Sequence, residues 1–388
     1  MMRIAYVSTD PGIPVFGCKG ASVHLQEMVR AFLAKGAEVT LFSPRMEGVP
    51  PQDLTTARQH PLPPVLKGDA DARARGQIAL NRDVAQALEA QGPFDLIYER
   101  HALFAHAAMD YARKQHIPSV LEVNAPLIDE QSRHRSLERI DDALFLACRA
   151  FAAAKQVVAV SPQVADYARD MGTPADRVTV EPNAVNPARF PDPAKFADAF
   201  CVGFLGTLKP WHDVSLIIHA FAILRQTIPT AKLLIVGDGP ERRRLTVQAD
   251  AAGVIDAVQF TGAVPAEQVP SWLARMHVGL ATYRGSDPFY FSPLKLYEYM
   301  AAGLPSVVSR VGTLADAIEE GKTGLSVPPD DAEALAAALA KLANDPGMVR
   351  ATGRTARARV LATQTWDDVA DRVLLRAGLA PARMDGAA

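Results

Sequence analysis

The sequence predicts an α/β protein built as two doubly wound parallel-sheet domains, and three observations carry that expectation. Short runs rich in Val, Ile and Leu alternate with longer helical patterns from one end of the chain to the other, as buried parallel strands joined by crossover helices do. The length, 388 residues, exceeds what one ordinary core accommodates. Near the middle the alternation is interrupted by VEPNAVNPARFPDPAKFAD, where Pro182, Pro187, Pro191 and Pro193 forbid regular structure for about a dozen residues. The boundary belongs there, giving a first domain over 1–185, a second over 186–364 and a final segment over 365–388.

In the first half the strand candidates are RIAYVS from Arg3, EVTLFS from Glu38, FDLIYE from Phe94, PSVLEV from Pro118 and QVVAVS from Gln156. In the second they are FCVGFLG from Phe200, KLLIVGDG from Lys232, AVQFTG from Ala257, VGLATY from Val278, PSVVS from Pro305 and GLSV from Gly324. Two sheets of five or six strands are expected. PPQDLTT to LPPVLKG reads as a surface loop, and the Ala-rich stretch from Glu333 as an ordinary helix. The apolar helix from Asp142 to Ala154 fits an Ala-rich core better than a membrane surface, so peripheral membrane contact has no further support.

Composition excludes several classes. Lys and Arg number 41 against 43 Asp and Glu, so no global charge steers the chain to nucleic acid or an anionic membrane. Cys18, Cys148 and Cys201 are scattered, without the spacing of a disulfide framework or a zinc site, which suits a reducing cytoplasm. The N-terminus MMRIAYVS is too short for a signal-peptide core, and no apolar run reaches the roughly 18 residues of a membrane span.

Two segments carry chemistry. After the first strand, DPGIPVFGCKGAS places Gly12, Gly17 and Gly20 before the helix VHLQEMVRAFLAKG, a loop that lets backbone approach a ligand and aims a helix N-terminus at negative charge; its glycine spacing is not a dinucleotide fingerprint. GDGPER at Gly237 has Arg242 where a third glycine would stand, which argues against a dehydrogenase. In DPFYFSPLKLYEYMAAGLPSVVS, Ser292 is a good N-cap and Pro293 a good first helical residue, so a helix should start there and end near Gly303. Lys295 then sits in a first turn, where the helix dipole disfavours a cation unless an anion such as a diphosphate lies beside it. Glu298 lies one turn on; the pair suits either a ribose beside that diphosphate or an exposed i,i+3 ion pair. Arg100 and His101 follow a strand at the end where open α/β sheets bind ligands, beside EVN with Glu122 and Asn124 on one face.

SPLKLYEYMAAGLPSVVS resembles the hallmark helix and following strand of family 4 of the retaining glycosyltransferases, which have the GT-B fold of two Rossmann-like domains facing across a cleft. KGASVHLQEMVRAF, VAVSPQVADYA, VEPNAVNPARF, GFLGTLKPWHDVSLIIHAFA, LLIVGDGPERRRL, VQFTGAVPAEQVPSWLA and TWDDVADRVL extend the resemblance, in order, along most of the chain. It implies that Lys209 and Lys295 neutralise a diphosphate, that Glu298 binds the ribose, that backbone near Ala263 and Val264 receives the base, and that amides from Phe291 through Ser292 and Pro293 to Leu294 surround the phosphates, Gly206, Thr207 and Gly237 lining the same donor site. Lys19, Gly17 and Gly20 would lie on the acceptor side with Arg100, His101 and Glu122, and the helix from Thr365 would cross back onto the first domain. Three departures from the family pattern stand out: Tyr290 stands where a donor-facing acid is usual, Thr207 and His212-Asp213 replace an Arg and a Lys-Gly pair, and Asn124 replaces a His.

The expected activity is retaining transfer of a sugar from a nucleoside-diphosphate sugar, with UDP the common base, to an acceptor hydroxyl in glycan, glycolipid or small-metabolite synthesis. Its partners are those two substrates, not nucleic acid, and no metal or other cofactor is called for because lysines and helix-end amides can neutralise the phosphates. Two alternatives are a sugar-nucleotide epimerase or hydrolase of the same fold, and a non-catalytic nucleotide-sugar-binding partner.

Overall fold

The computed structural model describes residues 1–65, 68–134, 136–190, 199–286 and 288–379, so Pro191 and Pro193 of the linker lie outside the described residues. The chain forms two compact units, Met1–Pro182 joined by the segment from Trp366, and Asn183–Thr365.

In the first unit the strands are β1 (Arg3–Ser8), β2 (Glu38–Ser43), β3 (Arg58–Pro61), β4 (Leu96–Arg100), β5 (Ser119–Val123), β6 (Gln156–Ala159) and β7 (Val178–Val180). They pair in the order β3-β2-β1-β4-β5-β6-β7, all parallel. In the second unit β8 (Cys201–Leu205), β9 (Lys232–Val236), β10 (Val258–Phe260), β11 (Val278–Ala281), β12 (Ser306–Ser309) and β13 (Gly324–Val327) pair in the order β10-β9-β8-β11-β12-β13, again all parallel. Each sheet is doubly wound. The strand order reverses between β1 and β4 and between β8 and β11, and at such a switch the connections leave in opposite directions, opening a crevice at the carboxyl edge.

The strands are apolar without alternation because both faces are covered. On β8, Val202 and Phe204 join one core with Ile217, Phe221 and Ile235, while Cys201 and Leu205 join another with Val236, Leu296 and Tyr299. Each fully buried Leu, Ile or Phe contributes about 1.5–3 kcal/mol relative to exposure. The helix Trp366–Arg376 packs on Gly20–Ala34, where Lys35 Nζ lies 2.7 Å from Asp371, and Arg372 and Arg376 tie it to the buried carboxylate of Glu181 just after β7.

The first sheet has seven strands among the described residues, not five or six. The two missed strands are its edges: β3 is RQHP and largely exposed, β7 is three residues long, and neither has an apolar run to announce it. Thus the patch read as a surface loop contains β3, and the described part of the proline-rich linker forms a 3-10 turn at Pro187–Arg189. The apolar helix spans Ile140–Ala153 and buries Ala143, Leu146, Ala147, Ala150 and Phe151. Among the described residues no helix is long and apolar enough to cross a membrane.

Candidate functional site

In the second unit, β8 ends at Leu205 and runs into Gly206 (φ 143°), and β9 ends at Val236 and runs into Gly237 (φ 134°). Both glycines occupy a backbone region closed to other L residues, and a Cβ at Gly237 would lie 2.1 Å from the Gly206 carbonyl oxygen. Two strand ends therefore come together backbone to backbone, with Thr207 and Lys209 following the first. Above them stands the helix Leu294–Ala301, fixed by Tyr299, whose hydroxyl accepts from Leu205 N (2.7 Å) and donates to Leu280 O (3.2 Å).

One turn before Tyr299, Lys295 is held against the end of β8. Its Nζ lies 4.3 Å from the Phe204 ring centroid and 5.5 Å from that of Tyr283, is buried, and has no hydrogen-bond partner among the described residues. Burial lowers its pKa to about 7, opposed by the charge of Glu298. Beside it, His212 Nδ1 is 2.6 Å from the Thr207 carbonyl, which can only accept, so Nδ1 carries the ring proton. Burial, then the charges of Lys295 and Lys209, hold His212 well below the usual histidine range, so it is neutral. Lys209 Nζ lies 5.5 Å over the Trp211 ring.

Glu298 is buried, and Arg189 Nη1 is 3.3 Å from its Oε1. Sequence reasoning passed over Arg189 because it sits in the proline-rich linker, 109 positions away. Burial of both Lys295 and Glu298 rules out the exposed ion pair left open by their spacing. Ser292 is not the N-cap: the helix begins at Leu294 after Pro293 without a side-chain cap, and Ser292 Oγ instead accepts from Asn183 N (2.8 Å). Tyr290 packs against Phe291 (ring centroids 4.3 Å apart), and Phe291 stacks on Tyr283. Ala263 is exposed and Val264 half-buried, just beyond Gly262, whose carbonyl accepts from Gly237 N (3.1 Å).

In the first unit the carboxyl edge gathers around Glu122. Its Oε1 meets Arg100 Nη1 at 2.7 Å, His24 Nε2 at 3.0 Å and the Asn124 side-chain amide, and its Oε2 accepts from Tyr98 OH at 2.5 Å. Register explains the assembly: Arg100 pairs with Glu122 across β4 and β5, and Tyr98 lies two residues back on the same face. Burial opposes ionisation of Glu122, but His24, Arg100 and Tyr98 outweigh it and hold the carboxyl well below the usual range. Arg100 thus ends the strand inside an ion pair and is not a loop residue. His101 is buried against Phe151, and burial lowers its pKa to about 4, so the ring is neutral. Gly17 lies in a loop tied down by Gln26 Nε2, which donates to Val15 O (2.9 Å) and Gly17 O (3.0 Å), while Lys19 and Gly20 are exposed where the helix Gly20–Ala34 begins.

Each unit therefore brings its candidate residues to the carboxyl edge of its own sheet. The second offers an unpartnered cation, a held carboxylate and close-packed glycine turns, an arrangement that can receive a diphosphate with a ribose one helical turn away.

Comparison with known proteins agrees with this architecture. The model described as Glycosyltransferase Family 4 matches residues 19–189, and that described as Glycosyl transferases group 1 matches residues 199–345. A glycogen synthase of Mycobacterium tuberculosis is 29% identical over 289 residues, 71% of this chain and 66% of the relative, so the match spans just under two thirds of that protein. A GDP-mannose-dependent alpha-(1-6)-phosphatidylinositol monomannoside mannosyltransferase of Mycolicibacterium smegmatis is 32% identical across 50% of this chain and 51% of its own. Among solved structures, Anabaena Alr3699/HepE in complex with UDP and glucose superposes with a TM-score of 0.72 at 19% identity, covering 97% of this chain and 99% of that one.

Proposed function

We propose that this chain, matched over residues 19–189 and 199–345 by the two glycosyltransferase family models, is a retaining enzyme that moves a sugar from a nucleoside-diphosphate sugar, a UDP-sugar in the first instance, to an acceptor hydroxyl. The observation that carries this is Lys295: a buried amine with no hydrogen-bond partner among the described residues, at the strand-end switch of the second unit and packed against Gly206, where a Cβ would lie 3.2 Å from its Nζ. A buried amine that no carboxylate hydrogen-bonds is costly to charge, and an anion bound beside it would offset that cost.

On this mechanism the bond between the sugar's anomeric carbon and the diphosphate oxygen breaks toward an oxocarbenium-like state, and Lys295, Lys209 and the backbone N–H groups of Phe291, Ser292 and Leu294 stabilise the charge left on the phosphate. Glu298 takes the ribose hydroxyls. The acceptor oxygen attacks the same face that the phosphate leaves, and its proton passes to the departing phosphate oxygen, which preserves the anomeric configuration without a protein nucleophile. Neutralisation by side chains and amides needs no metal. The first unit is assigned the acceptor through Lys19, Arg100, His101 and the Glu122–Asn124 pair, and the cytoplasm is the expected compartment.

The test is incubation with UDP- and GDP-sugars and a cell extract of acceptors, followed by anomeric analysis of the product by NMR. Donor consumed only with acceptor, and product of retained configuration, are expected. Donor turned over without acceptor would favour an epimerase or hydrolase, bound but intact donor a non-catalytic partner, and a covalent glycosyl-enzyme in the mass spectrum would overturn same-face attack.

A further inference from the structure

The linker that leads into the second unit is stitched to the helix Leu294–Ala301 at three points. Asn183 N and its side-chain amide both donate to Ser292 just before that helix, Arg357 donates to Ala301 O at its end and to Phe190 O (2.9 Å) in the linker, and Arg189 reaches Glu298 between them. Arg189 itself closes the 3-10 turn Pro187–Arg189, which Asn186 Oδ1 caps by accepting from Ala188 N at 3.1 Å. Its guanidinium is forked: Nη1 is 3.3 Å from Glu298 Oε1, while Nη2 donates to Ala266 O at 2.8 Å. Ala266 follows closely on Ala263 and Val264, the segment expected to receive the base. One planar cation thus joins the ribose-reading carboxylate to the base-reading segment, which a point charge such as lysine cannot do.

We infer that Arg189 is a positioning residue for nucleoside recognition, holding Glu298 oriented for the ribose hydroxyls and coupling it to the segment at Ala266. Arg189's role rests on Glu298 receiving the ribose, as proposed above. Both partners of the pair are mostly buried, at 17% and 12% side-chain exposure. Apolar groups of the same volume would serve stability as well as such a pair does, so its use lies in fixing the direction of the carboxylate. Arg189 has no contact with substrate to make in this role; it acts through Glu298.

Calorimetric titration of UDP, GDP and their 2′,3′-dideoxy counterparts into the wild type, Arg189→Ala and Arg189→Lys tests this. The wild type should prefer the ribose form of the diphosphate it binds by at least about tenfold, the worth of a hydrogen bond to a charged acceptor. Arg189→Ala should lose most of that preference while its affinity for the dideoxy diphosphate, carried by Lys295, changes less than about threefold. Arg189→Lys should fall between, and it decides the matter if the alanine variant does not fold. Full ribose preference in a folded Arg189→Ala, or in Arg189→Lys where the alanine variant fails, overturns the inference alone. A wild type that binds diphosphates but ignores the hydroxyls overturns the ribose role of Glu298 and the inference with it, and a wild type that binds none overturns the proposed function as well.

Discussion

The two units handle a charge at the same topological place in opposite ways. At the carboxyl edge of the first sheet, Glu122 is surrounded by four donors, Arg100, His24, Tyr98 and Asn124, drawn from β4, the helix Gly20–Ala34 and its own strand end. At the same edge of the second, Lys295 is also buried, but its Nζ lies over aromatic rings, has no hydrogen-bond partner among the described residues and feels the charge of Glu298 alone among carboxylates. Desolvation penalises both. In the first unit the protein itself supplies the compensation through hydrogen-bonded donors; in the second, on the function proposed above, a bound diphosphate completes it.

Truncating each charge should sharpen that contrast, because the two substitutions are expected to act with opposite sign on stability. Glu122→Ala leaves Arg100 and His24 without their acceptor and should cost about 3–5 kcal/mol in chemical denaturation. Lys295→Met removes a buried amine that no hydrogen bond offsets and should be neutral or stabilising. The sign with pH follows from its depressed pKa of about 7: the native protein holds the neutral amine above that value while the unfolded chain stays charged to about 10.5, so the burden is greatest below pH 7 and relieved as pH rises. The gain in melting temperature from Lys295→Met is therefore larger at pH 6 than at pH 9, and a Lys295→Met protein destabilised like the Glu122 variant would erase the distinction.

On activity, Lys295→Ala should lower donor turnover by about 10²–10³, the worth of one well-placed stabiliser of developing negative charge. A smaller effect separates charge from shape. Wild-type affinity for a nucleoside diphosphate should weaken above pH 7 by up to about tenfold per pH unit, as the amine must first be protonated, whereas Lys295→Arg, if it binds, should show no such fall. The smallest change is expected at the exposed end of the first unit, where Asp371→Ala breaks the partly exposed pair with Lys35 and should cost no more than about 1 kcal/mol.

The sequence made the fold class legible because buried parallel strands write themselves as apolar runs, and β1 and β2 were read to the residue. Strands β3 and β7 escaped because an edge strand hydrogen-bonds on one side and needs no apolar face. In the site, Lys295 and Glu298 stood out through a local conflict, a cation in a first helical turn. What could not be read was partnership across the chain: Arg189 reaches Glu298 over 109 positions, and His24 reaches Glu122 from a different element. Ser292 shows the converse, since its residue type suits an N-cap, but a tertiary hydrogen bond from Asn183 claimed its hydroxyl.

The most direct test of the central claim is thermal stabilisation by a panel of nucleoside diphosphates and their sugars, for the wild type, Lys295→Ala and Glu298→Ala. At one hundred times its dissociation constant a ligand adds about 2.7 kcal/mol, enough to move a melting curve clearly. The account predicts a rise selective for one nucleotide, abolished by Lys295→Ala and reduced by Glu298→Ala. A wild-type melting curve unmoved by every member of the panel, or a rise that survives both substitutions, would contradict it.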